Sequence, residues 1–329
     1  MKKSNGFRVL LILVILVIVL AGGLLGTAFL LNSPGKAVAS ADASFSITKG
    51  ENLHSLARRL YGERIIHSAR FLRLLARALK TETLFKAGTY TIPAGSTTLA
   101  IHDLFVEGTQ TLVKVTVPEG FTLSRIARLL EEKGLVKADD FKTVCMDRSF
   151  LEYFRIPGKS AEGYLFPDTY FFSPAMDARD LADDMITNFY KRLGEIVPGY
   201  ETMKPADLYD KIIVASIVER EYRVASDAPK IASVFYNRLK INMGLGSCAT
   251  IEYIITDIEG KPHPEYLKKE DLEIKSNYNT YMWAGLPPWP ISNPGLIALK
   301  AAFYPEKSSY MYFLLKDPAT GEHVFTNSI

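Results

Sequence analysis

The chain has 329 residues, 48% hydrophobic and 23% charged, with 17 Tyr, 18 Phe and a formal net charge of +3. That length holds two or three domains with buried cores, and the aromatic content excludes a disordered chain. Lys and Arg are scattered among Asp and Glu with no basic block, which argues against a nucleic-acid partner. The two cysteines, Cys145 and Cys248, form no CxxC pair, which excludes a thiolate zinc site and a disulfide framework. Two unpaired buried thiols are expected, a single long-range bridge being the alternative.

Residues 9–31 carry no charge and are dominated by Leu, Ile and Val. At roughly 1.5 Å per residue, such a helix crosses a hydrocarbon core of about 30 Å. Lys2, Lys3 and Arg8 precede it, which by the positive-inside rule leaves the N-terminus in the cytoplasm and everything after Leu31 outside. The small residues Val38-Ala39-Ser40-Ala41 offer a signal peptidase a site. However, the apolar run is about twice a typical signal-peptide core, so an uncleaved anchor is expected. Gly22 and Gly26 make a GxxxG that reads as ordinary membrane-helix glycine rather than a dimer face. Residues 32–44, rich in Ala, Ser and Gly, read as a linker.

Two segments then align without a gap at a period of 70. The first runs Phe45-Ser-Ile-Thr-Lys-Gly50, then Leu53, Leu56-Ala57-Arg58, Leu60, Ile65-Ile66 and Phe71. The second runs Val115-Thr-Val-Pro-Glu-Gly120, then Leu123, Ile126-Ala127-Arg128, Leu130, Leu135-Val136 and Phe141. Each predicts a strand, a turn at the glycine, and a helix with apolar residues at i, i+3, i+4 and i+7. Between them, Ala87 to Ile92 predicts a returning strand and Thr97 to Phe105 a short helix. The pattern predicts two small α+β modules.

Glu162-Gly163-Tyr164-Leu165-Phe166-Pro167-Asp168-Thr169-Tyr170 predicts a buried strand with a turn at Pro167-Asp168. Long helices are predicted from about Ala178 and from about Ala206. In the second, Ile213, Val214, Ile217 and Val218 form an apolar stripe on which Glu221 falls. Glu219, roughly 200° around the helix from Glu221, is expected off that stripe as a solvated charge. A carboxyl on an apolar face has its pKa raised by desolvation, the property a general acid needs near neutral pH. The plainer reading is that Glu221 pairs with an Arg such as Arg238 and ties two helices together. A further helix is predicted with Ser226 or Asp227 as cap, Pro229 in its first turn, and Ile231, Val234, Phe235 and Leu239 on one face.

The ordered motifs EGYLFPDTY, ASIVEREY, ASVFYNRL, YNTY, GLPP, ISNPG and YMYF resemble the endolytic murein transglycosylase (YceG-like) family over about residues 45 to 325. The resemblance places the family's catalytic acid, the second Glu of Ser-Ile-Val-Glu-x-Glu, on Glu221. It implies an α+β fold with an N-terminal transmembrane helix, a small LysM-like module and a C-terminal α+β catalytic domain. The expected organisation is a cytoplasmic N-terminus (1–8), a transmembrane helix (9–31), a linker (32–44), a LysM-like module (45–110), a second repeat module (111–160) and a catalytic domain (161–329). The chain departs from the family pattern at Cys248-Ala249, where Asp-Pro is usual, and at Trp289, where Gly is usual. It also ends at Ile329, short of the family's usual closing element.

The resemblance further implies cleavage of MurNAc–GlcNAc β-1,4 bonds within a glycan strand, leaving 1,6-anhydro-MurNAc ends and limiting the length of new strands. The sugar's own C6 hydroxyl attacks, so one carboxyl suffices where paired-carboxylate glycosidases need two. Neither metal nor cofactor is implied, and the five histidines show no ligand spacing. Asn237, Arg238, Tyr278, Asn279 and Tyr281 are the candidate sugar-binding residues, burial of the tyrosines in the core being the equal alternative. The implied location is the inner membrane, with the catalytic domain periplasmic and penicillin-binding synthases as partners. The rival reading is a non-catalytic glycan-binding or synthase-recruiting membrane scaffold.

Overall fold

A computed structural model describes residues 4–108 and 111–328, with side chains from residue 10 onward. Lys2, Lys3 and Ile329 lie outside the described residues, as does the side chain of Arg8. The fold is mixed α+β. Helix α1 (Ser4–Asn32) contains a stretch, Leu10–Asn32, of mean hydropathy 2.9 whose side chains are exposed as far as Leu30. It is long and apolar enough to cross a membrane.

The chain divides into two compact units, one of residues 1–112 with 173–175, the other of residues 113–172 with 176–329. In the first, β1 (Ala43–Ile47) pairs antiparallel with β2 (Gly88–Ile92), and α2 (Leu53–Gly62) and α3 (Ala69–Ala78) lie between them in sequence. Each helix starts where a side chain takes an orphan N–H: Asn52 accepts from Ser55 N, and Ser68 from Phe71 N. Phe45, Ile47, Leu56, Leu60, Leu72, Tyr90 and Ile92 close a core of their own, completed by Ile101 and Phe105 of α4 (Thr98–Glu107).

The second sequence repeat returns the same order: β3 (Val113–Thr116), α5 (Leu123–Glu132), α6 (Ala138–Met146), the short α7 (Arg148–Tyr153) and β4 (Thr169–Phe172), with β3 and β4 antiparallel. Gly50 and Gly120 occupy matching turns at φ +80° and +74°, a region that costs other residues strain. Unlike the first copy, the second closes no separate core. Val115, Ile126, Leu130 and Phe141 bury themselves with Ile213, Val214 and Ile217 of the C-terminal half.

That half contains α8 (Ala178–Ile196), α9 (Pro205–Glu221), α10 (Ala228–Lys240), α11 (Cys248–Tyr253), α12 (Leu296–Phe303) and the hairpin β5 (Tyr312–Leu315) with β6 (His323–Thr326). Three expectations are corrected here. Glu162–Phe166 is buried but is not a strand; the N–H groups of Gly163 and Leu165 are both taken by Asn293 Oδ1 at 2.9 Å instead of by a ladder. Helix α9 has no apolar stripe, because Ile212 through Val218 are buried on every side. Cys145 is buried, but Cys248 is exposed, and both thiols are free.

Candidate active site

Three carboxyls of the second unit, Glu162, Glu219 and Glu221, have pKa values pushed up by burial. Glu162 is raised to about 8 despite two hydrogen bonds from Leu123 N at 2.9 and 3.0 Å and one from Asn293 Nδ2 at 2.9 Å. It is 3% exposed and caps the start of α5, a structural post. Nothing in the sequence marks its role, since a glutamate in an aromatic-rich run has no periodicity to single it out.

Glu219 corrects a further expectation. It is no solvated charge: its pKa is raised to about 8, chiefly by burial. Its Oε2 accepts from Gly295 N at 2.8 Å, at the start of α12, and its Cγ packs close to Gly120. A desolvated environment therefore fails to distinguish the two glutamates of the Val-Glu-Arg-Glu run.

Their surroundings do distinguish them. Glu221 ends α9, and its Oε1 accepts a short hydrogen bond from Ser247 Oγ. Ser247 is the N-cap residue of α11, yet its hydroxyl makes no cap bond and is turned to Glu221. Burial dominates the upward shift of Glu221, and Glu252 adds to it; Ser247, Ala249 N and Arg220 oppose it. Beside Glu221 lie Cys248 and Tyr281, whose Sγ and hydroxyl are 3.1 Å apart. Tyr281 is 41% exposed, so an aromatic ring beside this carboxyl reaches solvent, and Met282 and Trp283 follow it in sequence at 40% and 54% exposure. Glu219 bonds the half-buried Tyr222 and Glu162 the buried Tyr253, and neither ring is as open to solvent as Tyr281.

The loop carrying Ser247 is stapled to the Tyr278–Trp283 segment. Gly246 N donates to Thr280 O and Ser247 N to Thr280 Oγ1, both at 3.0 Å, and Thr250 Oγ1 lies 3.0 Å from Thr280 Oγ1. Gly246 has φ +58°, and a Cβ there would meet Arg238 Nη1 at 3.3 Å, so the approach of the two loops requires glycine.

The five candidate binding residues separate in this geometry. Tyr281 is at the site. Arg238 is close by but occupied: Nε donates to Met311 O at 2.7 Å, Nη1 to Leu245 O, and its guanidinium lies 5.2 Å from the Tyr312 ring centre. It makes no salt bridge to Glu221. Asn237 donates to Ser308 O and Tyr310 O at 2.9 and 3.0 Å and ties α10 to the segment before β5. Asn279 is fully buried, donating to Leu272 O and Ile274 O and accepting from Tyr281 N and Met282 N. Tyr278 is buried between Tyr253 and Trp289. Ser247, Met282 and Trp283 went unread in the sequence; the only signal was two large apolar residues in a turn-rich segment with no helical partner.

Comparison with known proteins finds a matching family model, similar sequences and a similar solved structure. The model of the YceG-like family matches residues 45–329. A Bacillus subtilis (strain 168) protein named endolytic murein transglycosylase is 32% identical over 331 residues, covering 93% of this chain and 88% of that protein. A Streptococcus pneumoniae serotype 2 (strain D39 / NCTC 7466) protein of the same name is 30% identical over 350 residues, and the match covers 96% of this chain but only 62% of the longer pneumococcal protein. Among solved structures, a YceG-like protein from Listeria monocytogenes superposes with a TM-score of 0.58 at 29% identity, covering 88% of this chain and 97% of that one.

Proposed function

We propose, from the premise that this chain belongs to the YceG-like family, that it is a lytic transglycosylase, a lyase that cuts peptidoglycan glycan strands from within. The observation that carries the reading is Glu221, a desolvated carboxyl held by Ser247 beside the exposed Tyr281. An exposed aromatic edge beside a proton-holding carboxyl suits a sugar polymer, whose ring faces stack on aromatics while a glycosidic oxygen meets the acid.

In the proposed reaction, protonated Glu221 gives its proton to the bridging oxygen as the MurNAc C1–O bond breaks. The electron pair leaves on that oxygen, and positive charge builds on the sugar ring in an oxocarbenium-like state. The C6 hydroxyl of the same MurNAc attacks C1 and returns its proton to Glu221. The products are a GlcNAc 4-hydroxyl and a 1,6-anhydro-MurNAc end, and the enzyme is regenerated. Ser247 donates to Oε1 and Ala249 N also donates to the carboxyl, which together orient it for proton transfer. Glu219 and Glu162, bound to backbone N–H groups, serve the fold.

Helix α1 anchors the chain in the inner membrane, with residues 45–329 on its outer face. The strand–helix–helix–strand unit of residues 43–92 is the LysM-like module, positioned to hold glycan near the membrane, where synthases extrude it. Cutting there limits the length of new strands.

The test is mass spectrometry of muropeptides released from purified peptidoglycan by the full chain in detergent. Wild type releases anhydro ends. Glu221→Gln, which keeps size but has no acidic proton, folds and releases at least about 10²–10⁴-fold less. Glu219→Gln keeps an acceptor for Gly295 N and stays within roughly tenfold of wild type. An active Glu221→Gln beside a dead Glu219→Gln would reverse the assignment.

A further inference from the structure

The chain's net charge of +3 conceals a strongly uneven distribution. Residues 43–92 hold nine Lys and Arg against three Asp and Glu. Three of the nine line one cleft of about 520 Å³, bounded by Asn52–His54 at the start of α2, by Arg70, Arg73, Leu74 and Arg77 along α3, and by Glu82. Arg58 reaches toward it from the next turn of α2.

The cleft is short of anions. Arg58 Nη2 lies 2.5 Å from His54 Nε2, and Arg73 Nη1 lies 2.6 Å from His54 Nδ1. Guanidinium only donates, and a neutral imidazole has one acceptor nitrogen, so the ring satisfies one of these arginines and not both. Protonation would leave it none, and Arg58 foremost, with Arg73, holds the His54 pKa below its usual value. Among the described residues, no carboxylate pairs with Arg58, Arg70 or Arg73; the only acid in the cleft, Glu82, is engaged by Arg77 at 3.4 Å. The first N–H groups of α2 add positive potential to the same wall.

We propose that this cleft binds carboxylates of the peptide stems carried by the wall polymer. The identity of that polymer rests on the proposed function; the anion deficit stands without it. Planar guanidinium forks at three and four residue spacings on α3 suit carboxylates along a flexible peptide. A lipid headgroup fits less well. The turn joining α2 to α3 is the end tied to the juxtamembrane segment, through Gly35 N to Ile65 O at 3.2 Å, Ala37 N to Arg64 O at 3.0 Å, and His67 Nε2 with Pro34 O at 2.9 Å. His54 and Arg77 are toward the other end of the helix pair, about 10 Å or more along it.

The experiment measures retention of the full chain, carrying Glu221→Gln so that nothing is cut, on wall freed by acid of attached phosphate polymers. At low salt the parent should be held about tenfold more tightly than Arg73→Ala/Arg77→Ala, with the gap narrowing as salt rises. Glycan strands stripped of stems by an amidase should hold both proteins equally. Free stem peptide should release the parent, and glycerol phosphate should not. Equal retention of parent and variant on intact wall, or undiminished arginine-dependent retention on stripped strands, overturns the proposal. Release by glycerol phosphate in preference to stem peptide assigns the cleft to a headgroup and overturns it as well. Should the double variant misfold, Arg58→Ala/Arg70→Ala reads the same cleft. Anhydro-end release by the wild-type chain is scored separately, so a missing activity and an idle cleft give different results.

Discussion

At the residue scale, the proton on Glu221 is governed by a contest between burial and Ser247. Burial raises the pKa, and the Ser247 hydroxyl lowers it by bonding the ionised form better than the neutral one. The charged and titratable neighbours are Arg220 and Glu252, which pair at 2.8 Å, together with Arg238, Cys248 and Tyr281. Removing the hydroxyl in Ser247→Ala should therefore move the Glu221 pKa further up. The alkaline limb of the kcat profile, which reports loss of the acidic proton, should shift to higher pH. The loosened carboxyl, held then by Ala249 N without Ser247, should also lower kcat by about tenfold with KM little changed. Ser247→Thr, which restores a hydroxyl, should bring back the limb and most of the rate. A purely structural Ser247 would instead lower stability and leave the profile in place. Of this arrangement the sequence discloses Glu221 through its motif, but not Ser247. Residues 247 and 221 meet only in the fold, where Thr280 also ties the Ser247 loop to the Tyr278–Trp283 segment, a tertiary event without local periodicity.

At the element scale, the start of α5 depends on a carboxyl that is neutral near physiological pH. Glu162 has an ordinary value of 4.5 when unfolded and about 8 when folded. Between those values the folded chain keeps a proton that the unfolded chain releases. Its contribution is full below about pH 4.5 and is lost as pH rises through about 8. Glu219, also raised to about 8, acts with the same sign. Glu162→Gln mimics the neutral form and still offers an oxygen to Leu123 N. The melting temperature of that variant should fall less than wild type's between about pH 5 and pH 8. An undiminished slope would mean that Glu162 is ionised in the fold. The helices of this unit were legible: α8, α9 and α10 begin within about two residues of where apolar spacing and Pro229 put them. The Glu162–Phe166 run was not, because a side chain 130 residues away in sequence satisfies its backbone. The stripe on α9 also misled, since periodicity names a buried face only when another face is wet.

At the scale of the whole molecule, the open question from sequence was whether the apolar run stays attached, and packing bears on it directly. Thr98 Oγ1 donates to Leu31 O at 3.1 Å and Leu99 N to Asn32 Oδ1 at 2.8 Å, so the start of α4 binds the last turn of α1. Gly95 N donates to Val38 O at 2.6 Å, and Val38 is fully buried in the core of the first unit. A signal peptidase cutting within Val38–Ala41 would need this segment unfolded, and a cut after Ala39 or Ala41 would remove Val38 from that core. The loss of a buried Val would cost about 1.5–3 kcal/mol of burial, a large share of what a small unit has to spare. The folded module thus resists the cut that its small residues invite. The full-length chain should stay with membranes through an alkaline wash, and a reporter enzyme active only outside the cytoplasm should work when fused after Ser44. Val38→Asp, which buries an unpaired charge, should destabilise the first unit and expose the segment, increasing a shortened soluble form if a peptidase can act there. A wild-type chain recovered mainly in that shortened form would show that cleavage precedes folding and that α1 is a leader rather than an anchor.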